Sequence, residues 1–124
     1  MLSKKVKAFA EGPNFAVLTT LLADGQPAGQ VMWVDCDDET LLINTEIHRQ
    51  KFKNIQRDPR VTVAIWKHDD PYEYVEIRGE VVETIGGSRA RQHIDKLALQ
   101  YFGRLYDGSI IESERVILRI RPLS

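Results

Sequence analysis

Apolar and polar residues alternate along several stretches of the chain, with the two-residue period of a half-buried β-strand. The alternation is clearest where Val75, Ile77 and Val81 are interleaved with charged residues. Asp24-Gly25 is a hairpin signal between the first two strands, and we expect the first three strands to form a meander. The pattern predicts six strands, at about residues 15–22, 26–36, 40–45, 61–66, 72–84 and 114–121.

Apolar residues recur instead at helical spacing in residues 2–10 and 90–101. A third helix, short and basic, is predicted for residues 49–57. It should end before Asp58-Pro59, because the residue preceding a proline avoids the helical conformation. Short connections between alternating strands favour an antiparallel barrel over a parallel sheet. The prediction is a mainly β fold with peripheral helices, in a single domain of residues 1–124.

Composition narrows the classes of function. A net charge of −1 provides no overall field that would attract nucleic acid. Cys36 is the one cysteine, so the chain has no internal disulfide, which fits a reducing compartment. The longest mostly apolar run, residues 15–23, is about half of the ~20 residues that a membrane span needs. We therefore expect a cytoplasmic protein with no nucleic-acid or membrane partner.

No short motif identifies a catalytic group. The glycine-rich nucleotide motifs and the G-x-S-x-G elbow are absent. His48, His68 and His93 are far apart in sequence and no cysteine accompanies them, so no metal site is expected. Tyr101 and Tyr106 could donate a proton, although tyrosines of such chains are more often structural. The catalytic residues therefore stay unassigned.

The start of the basic helix is the strongest candidate site. A helix N-terminus offers free backbone N–H groups and partial positive charge, and Arg49 and Lys51 would add two cations there. Asn44 and Thr45, at the end of the preceding strand, could add neutral hydrogen bonds. Such a group suits a phosphate. The spacing alone is more typical of an ordinary solvated helix face than of a phosphate site, so chemistry by itself leaves both interpretations open.

The order of motifs around this helix resembles that of the flavin- and deazaflavin-binding split β-barrel proteins related to pyridoxamine 5′-phosphate oxidase. More narrowly, it is similar to the branch of coenzyme F-420-dependent oxidoreductases. The motifs are Leu-Leu-Ile-Asn-Thr at 41–45, Arg49-x-Lys51-x-x-Asn54, and Arg-Asp-Pro-Arg-Val at 57–61. The resemblance extends to the hairpin around Asp24-Gly25 and to the strand at 75–81, and covers nearly the whole chain.

The resemblance implies a six-stranded split barrel of the FMN-binding type, which pairs as a homodimer with its cofactor sites at the interface. Arg49 and Lys51 would hold the cofactor phosphate, with Asn54 in support. Trp66 would approach from the partner subunit. The tricyclic ring would be lined by residues of the second and third strands, namely Gln30, Val31, Met32, Trp33, Asn44 and Thr45.

The activity implied is hydride transfer from reduced coenzyme F-420 to a small electrophilic acceptor such as an enone, a quinone or a tetrapyrrole. Two alternatives stay open. One is an FMN-dependent oxidoreductase or oxidase of the same fold, and the other is a non-catalytic protein that binds a flavin-like or haem-like ligand. The segment at 104–113 lacks the proline-rich run of many relatives, so the physiological substrate is left open.

Overall fold

The computed structural model describes residues 1–123, and strands form its largest part. In chain order the elements are α1 (Lys4–Glu11), β1 (Phe15–Leu21), β2 (Pro27–Trp33), β3 (Asp35–Cys36), β4 (Leu41–Glu46), α2 (Gln50–Arg57), β5 (Arg60–Lys67), β6 (Asp70–Ile85), α3 (Gly87–Phe102), a 3₁₀ turn (Gly108–Ile110) and β7 (Arg115–Pro122). The predicted mainly β class with peripheral helices is confirmed.

The strands of the described residues form one antiparallel sheet that curls back on itself. Its order is β2-β1-β5-β6-β7-β4-β3. The two outermost strands, β2 and β3, are separated in the chain by Val34 alone. Because one residue spans at most ~3.6 Å, the two ends of the sheet must lie side by side. The buried core of the barrel includes Leu18, Ile43, Val63, Ile65, Ile77, Leu118 and Ile120.

The prediction of six strands is wrong by one, because the second predicted strand is interrupted at Val34. The backbone N–H of Val34 donates to the hydroxyl of Tyr101, at 3.2 Å, instead of to a neighbouring strand. The predicted meander is found in its first hairpin and, beyond Val34, only in the short pair of β3 with β4. β1 pairs with β2, but β4 pairs with β7 and with the two-residue β3. The interruption lets the chain pass from one edge of the sheet to the other.

The longest strand, β6, runs from Asp70 to Ile85 and starts earlier than predicted. Lys67 pairs with Asp70, so only two residues form the turn between β5 and β6. Gly79 of β6 pairs with Pro122 of β7. A Cβ atom at this glycine would lie 2.5 Å from the carbonyl oxygen of Arg121. The missing side chain therefore permits the close approach of two strands at a bend of the barrel.

Each helix covers a different part of the barrel. α1 is capped by Ser3, whose hydroxyl accepts from the N–H of Val6 at 3.2 Å, and it buries Phe9 against the core. α2 buries Ile55 and rests on β1. α3 packs on β7 and β4 and ends at Gly103, which adopts the left-handed conformation. The outer surface of β4 and β7 is thereby covered by α3.

Candidate anion-binding cavity

An open cavity of about 410 Å³ lies between the strands of the barrel, the start of α2 and the inner face of α3. Its volume is in the range of small-molecule sites. Its lining combines cationic side chains with apolar and aromatic ones. It is lined by Phe15, Gln30, Val31, Met32, Trp33, Asn44, Thr45, Arg49, Lys51, Ile94, Leu97, Tyr106 and Arg115.

The ammonium group of Lys51 is the clearest sign of an anion site. The residue is only 9% exposed, yet within residues 1–123 it forms no salt bridge and no hydrogen bond through its side chain. No buried side-chain nitrogen of the described chain lacks a partner, so the Nζ atom must reach open space. Burial lowers the pKa of Lys51, and the positive charges of Arg49 and Arg115 lower it further. An anion in the cavity would relieve this repulsion.

The local structure of α2 places both cations at the cavity. Arg49 is the N-cap, with an extended backbone and no side-chain cap, and Lys51 lies in the first turn. No acidic residue occupies that turn. The first N–H groups of a helix have no partner within the helix, and its dipole adds partial positive charge. The backbone and both side chains therefore favour the same kind of ligand, an anion.

A third cation, Arg115, comes from β7. Its side chain is 9% exposed, and its Nε donates to Oδ1 of Asn44 at 2.8 Å. Its Nη1 lies 3.4 Å from a carboxylate oxygen of Glu46. The guanidinium also lies over the ring of Tyr106, 5.3 Å from the centroid. Burial lowers the pKa of Arg115, but an arginine stays protonated at neutral pH.

Aromatic side chains form a cluster centred on Trp33, and its members Trp33 and Tyr106 line the cavity. The indole of Trp33 stacks on the ring of Tyr101, with centroids 5.0 Å apart and planes 9° from parallel. Phe102 and Tyr106 meet the same indole edge-on. Such a wall suits the face of a flat conjugated ring. The cavity therefore offers both positive charge and an aromatic surface that suits a ring.

Eight of the ten residues predicted from the sequence line this cavity: Gln30, Val31, Met32, Trp33, Asn44, Thr45, Arg49 and Lys51. Asn54 and Trp66 do not line it within this chain. The amide of Asn54 is buried and bonds to Thr20 and to Gln50, at 3.0 and 2.8 Å, which anchors α2 on β1. The Trp66 indole packs against Phe15, 6.2 Å between centroids, one side chain away from the cavity.

Five lining residues were not singled out as ligand contacts from the sequence: Phe15, Ile94, Leu97, Tyr106 and Arg115. On β7 Arg115 alternates with the core residues Val116 and Leu118, as an outward-facing arginine does. Its side chain points away from the barrel core, but α3 packs over that part of the surface. The side chain of Arg115 is therefore enclosed and becomes part of the cavity wall. Ile94 and Leu97 were predicted as the buried stripe of α3, and the same stripe also faces the cavity.

Residues 1–123 contain neither a metal-binding cluster nor a membrane-spanning helix. No three His, Cys, Asp or Glu side chains converge in a way that could hold a metal ion. None of the helices in this part of the chain is both long enough and apolar enough to cross a membrane.

Comparison with known proteins identifies the family. The family model described as pyridoxamine 5′-phosphate oxidase matches residues 2–124. The chain belongs to this family. A search of curated proteins gives no significant match. The family assignment confirms the resemblance found in the sequence, and the solved structures below confirm the split-barrel fold.

Three solved structures are similar to this chain. An F420 reductase is 31% identical, with a TM-score of 0.83, over 95% of this chain and 93% of the reductase. The conserved hypothetical protein Rv2991 from Mycobacterium tuberculosis is 23% identical, with a TM-score of 0.73, over 100% of this chain and 82% of its own. The haem storage protein HutZ from Vibrio cholerae is 17% identical, with a TM-score of 0.68, over 99% and 91%. At such low identity the last two show the shared fold alone.

Proposed function

We propose that this family member binds a phosphate-bearing deazaflavin, coenzyme F-420, and uses it to reduce a small electrophilic acceptor. The observation that carries the proposal is the pairing of an uncompensated cationic group with an aromatic wall in one cavity. Lys51 is a largely buried residue whose ammonium faces open space and has no anionic partner among the described residues, and a ligand phosphate would supply one. The similarity to an F420 reductase favours the deazaflavin over FMN.

The roles of the residues follow from their chemistry. Arg49, Lys51 and the first N–H groups of α2 would bind the phosphate, with Thr45 offering a neutral hydrogen bond. Residues 30–33 of β2 would lie along the ring, and the stack of Trp33 on Tyr101 would keep water from one side of it. The bound cofactor supplies the hydride chemistry, and the protein supplies binding, orientation and a shielded cavity. Tyr106 is the lining residue that could give a proton.

We further propose that a second copy of the chain completes the site, as predicted from the family resemblance. Val31 lines the cavity and is nevertheless 63% exposed. A ring lying on β2 would therefore keep one face in water unless a partner covered it. Under this proposal Trp66 of the partner subunit approaches the ring, and Asn54 acts indirectly by anchoring α2. A cytoplasmic location also stays a prediction, based on the free Cys36.

The test is a fluorescence titration of the apo-protein with coenzyme F-420 and, separately, with FMN. We expect the wild type to bind the deazaflavin more tightly. Lys51→Met should weaken binding by about 1–3 kcal/mol, or about 5- to 150-fold, which is the range for one charged hydrogen bond. Lys53→Met is the matched control, because Lys53 lies on the same helix but is exposed and does not line the cavity.

The outcomes separate the alternatives. Tighter binding of FMN would mean that FMN, and not coenzyme F-420, is the cofactor. Binding of neither cofactor would refute the proposal. Equal losses in Lys51→Met and Lys53→Met would mean that only general charge matters and would contradict the phosphate role of Lys51. A tight complex whose reduced cofactor no enone, quinone or tetrapyrrole reoxidises would make the protein a binding protein and not an enzyme.

A further inference from the structure

A chain of buried polar side chains runs behind the cavity wall and is not explained by cofactor binding alone. It connects Arg115 through Asn44 and His93 to Asp35. The side chains of His93 and Asp35 are 8% and 7% exposed, so water does not compete for these bonds. At its far end Asp35 also accepts from the ammonium of Lys96, which reaches the surface.

The orientation of the Asn44 amide is determined by its partners. Nε of Arg115 is a donor and lies 2.8 Å from Oδ1 of Asn44, which must therefore be the acceptor. Nδ2 of Asn44 lies 2.9 Å from the carbonyl oxygen of Ala90, which can only accept. A flipped amide would bring two donors together on one side and two acceptors on the other. The protein therefore holds one orientation of this amide.

The protonation state of His93 follows from that orientation. The second hydrogen of the Asn44 amide points at Nδ1 of His93, 3.1 Å away, so this ring nitrogen must offer a lone pair. The other ring nitrogen, Nε2, then carries the proton and donates to Oδ2 of Asp35 at 2.9 Å. His93 is thus held as a neutral ring, with its acceptor side towards the cavity and its donor side towards the carboxylate.

The amide orientation in turn controls where the guanidinium of Arg115 lies. Glu46 is the competing acceptor, 3.4 Å from Nη1. Glu46 already accepts from the N–H groups of Glu112 and Ser113, both at 2.8 Å. Arg115 is thus already paired with Glu46 through Nη1; without the Asn44 acceptor, its Nε would also turn towards this carboxylate and the guanidinium would leave the cavity wall. With Asn44 in place, Arg115 keeps its position in the cavity wall.

We propose that His93 is a positioning residue of the cavity: through Asn44 it holds the guanidinium of Arg115 as a third cationic group for the phosphate or carboxylate of the ligand. Arg115 contacts the ligand and His93 does not. The identity of the ligand rests on the function proposed above. The positioning itself is a property of the chain and is measured without any ligand.

The first experiment is nitrogen-15 NMR of the apo-protein. We expect the wild-type ring of His93 to be neutral with its proton on Nε2, and the Nε–H of Arg115 to give a signal protected from exchange. His93→Leu should lose that protection, and His93→Asn should restore it, because the Asn side-chain oxygen can accept from Asn44. Lys96→Met is the matched control: it removes the other contact of Asp35 without touching Asn44.

The second experiment measures cofactor affinity in the same variants. Arg115→Gln should weaken binding by about 5- to 150-fold, the range for a charged hydrogen bond. His93→Leu should weaken it by about 2- to 12-fold, the range for a neutral one, and His93→Asn should recover most of the loss. The double variant should bind no more weakly than Arg115→Gln alone, because His93 acts only through the guanidinium. Arg121→Gln, exposed on the same strand, should bind as the wild type does.

Several results would overturn the proposal. They are a ring proton on Nδ1, unchanged Arg115 protection in a folded His93→Leu protein, or losses that add in the double variant. If the wild type binds neither cofactor, the proposed function and the role of Arg115 towards the ligand both fail, while the NMR result still decides the positioning. If His93→Leu does not fold, the ring state of the wild type and the behaviour of His93→Asn decide instead.

Discussion

The buried carboxylate of Asp35 should make the free energy of unfolding of this protein depend measurably on pH in the acidic range. Oδ2 of Asp35 accepts from Nε2 of His93 and from Nζ of Lys96, both at 2.9 Å. Burial alone would raise the pKa of this carboxyl group. The hydrogen bonds from His93, Lys96 and the backbone of Cys36 outweigh burial and lower the pKa from 3.8 to about 2. Asp35→Asn keeps the shape of the side chain and removes its charge.

The size of the effect follows from the shift of the pKa. One pKa unit corresponds to about 1.4 kcal/mol, so a shift from 3.8 to about 2 amounts to about 2 kcal/mol of folding free energy. A depressed carboxyl pKa stabilises the fold when the pH is above the unfolded value. This stabilisation is complete above about pH 5, declines as the pH falls through 4 to 2, and is absent below the folded pKa.

The assay is urea unfolding of the wild type and of Asp35→Asn, followed by circular dichroism from pH 7 to pH 2. At pH 7 the variant should be less stable by about 2 kcal/mol, a shift of the midpoint by about 1 M urea. The difference should shrink below pH 4, because the wild type alone loses the Asp35 contribution. Other carboxylates with lowered pKa values titrate equally in both proteins and cancel. A difference that stays constant down to pH 2 would refute the reasoning.

Two further predictions concern the barrel. Gly79→Ala should destabilise the fold by about 1–3 kcal/mol in urea unfolding, because the new Cβ would lie 2.5 Å from the carbonyl oxygen of Arg121. Unchanged stability would mean that β6 and β7 move apart there at little cost in free energy. Tyr101→Phe should cost about 1–3 kcal/mol in the same assay, because it removes the partner of the Val34 N–H. Tyr72→Phe, at a fully solvated ring, is its control, and equal losses in the two variants would contradict the role of the Tyr101 hydroxyl.

The local pattern of polar and apolar residues was sufficient to predict most of the helices and strands. Residues that alternate in polarity became strands, since one face of each strand meets the barrel core. The helix after β4 begins at Gln50, with Arg49 as its N-cap, and ends before Asp58-Pro59, as its stop signal predicted. The break at Val34 was not predictable in this way. It depends on the hydroxyl of Tyr101, 67 residues later in the chain, and no local pattern records such a partner.

The residues of the candidate site likewise include some that the sequence could predict and some that it could not. Arg49 and Lys51 could be named from the sequence, because their chemistry and their place at a helix start are both local. Arg115 could not, since it alternates on its strand as a solvated arginine would. The packing of α3 over β7 encloses it, and its contacts with Asn44, Glu46 and Tyr106 orient it.

The sequence by itself therefore determined the family, most of the helices and strands and the first two cations of the site, because these depend on residue types and spacings within short segments. The tertiary structure decided which outward-facing positions are buried, how the two edges of the sheet meet at Val34, and which donors and acceptors share a proton around His93. These features depend on distances between segments far apart in the chain. Such distances exist only after the barrel has closed and α3 has packed against it.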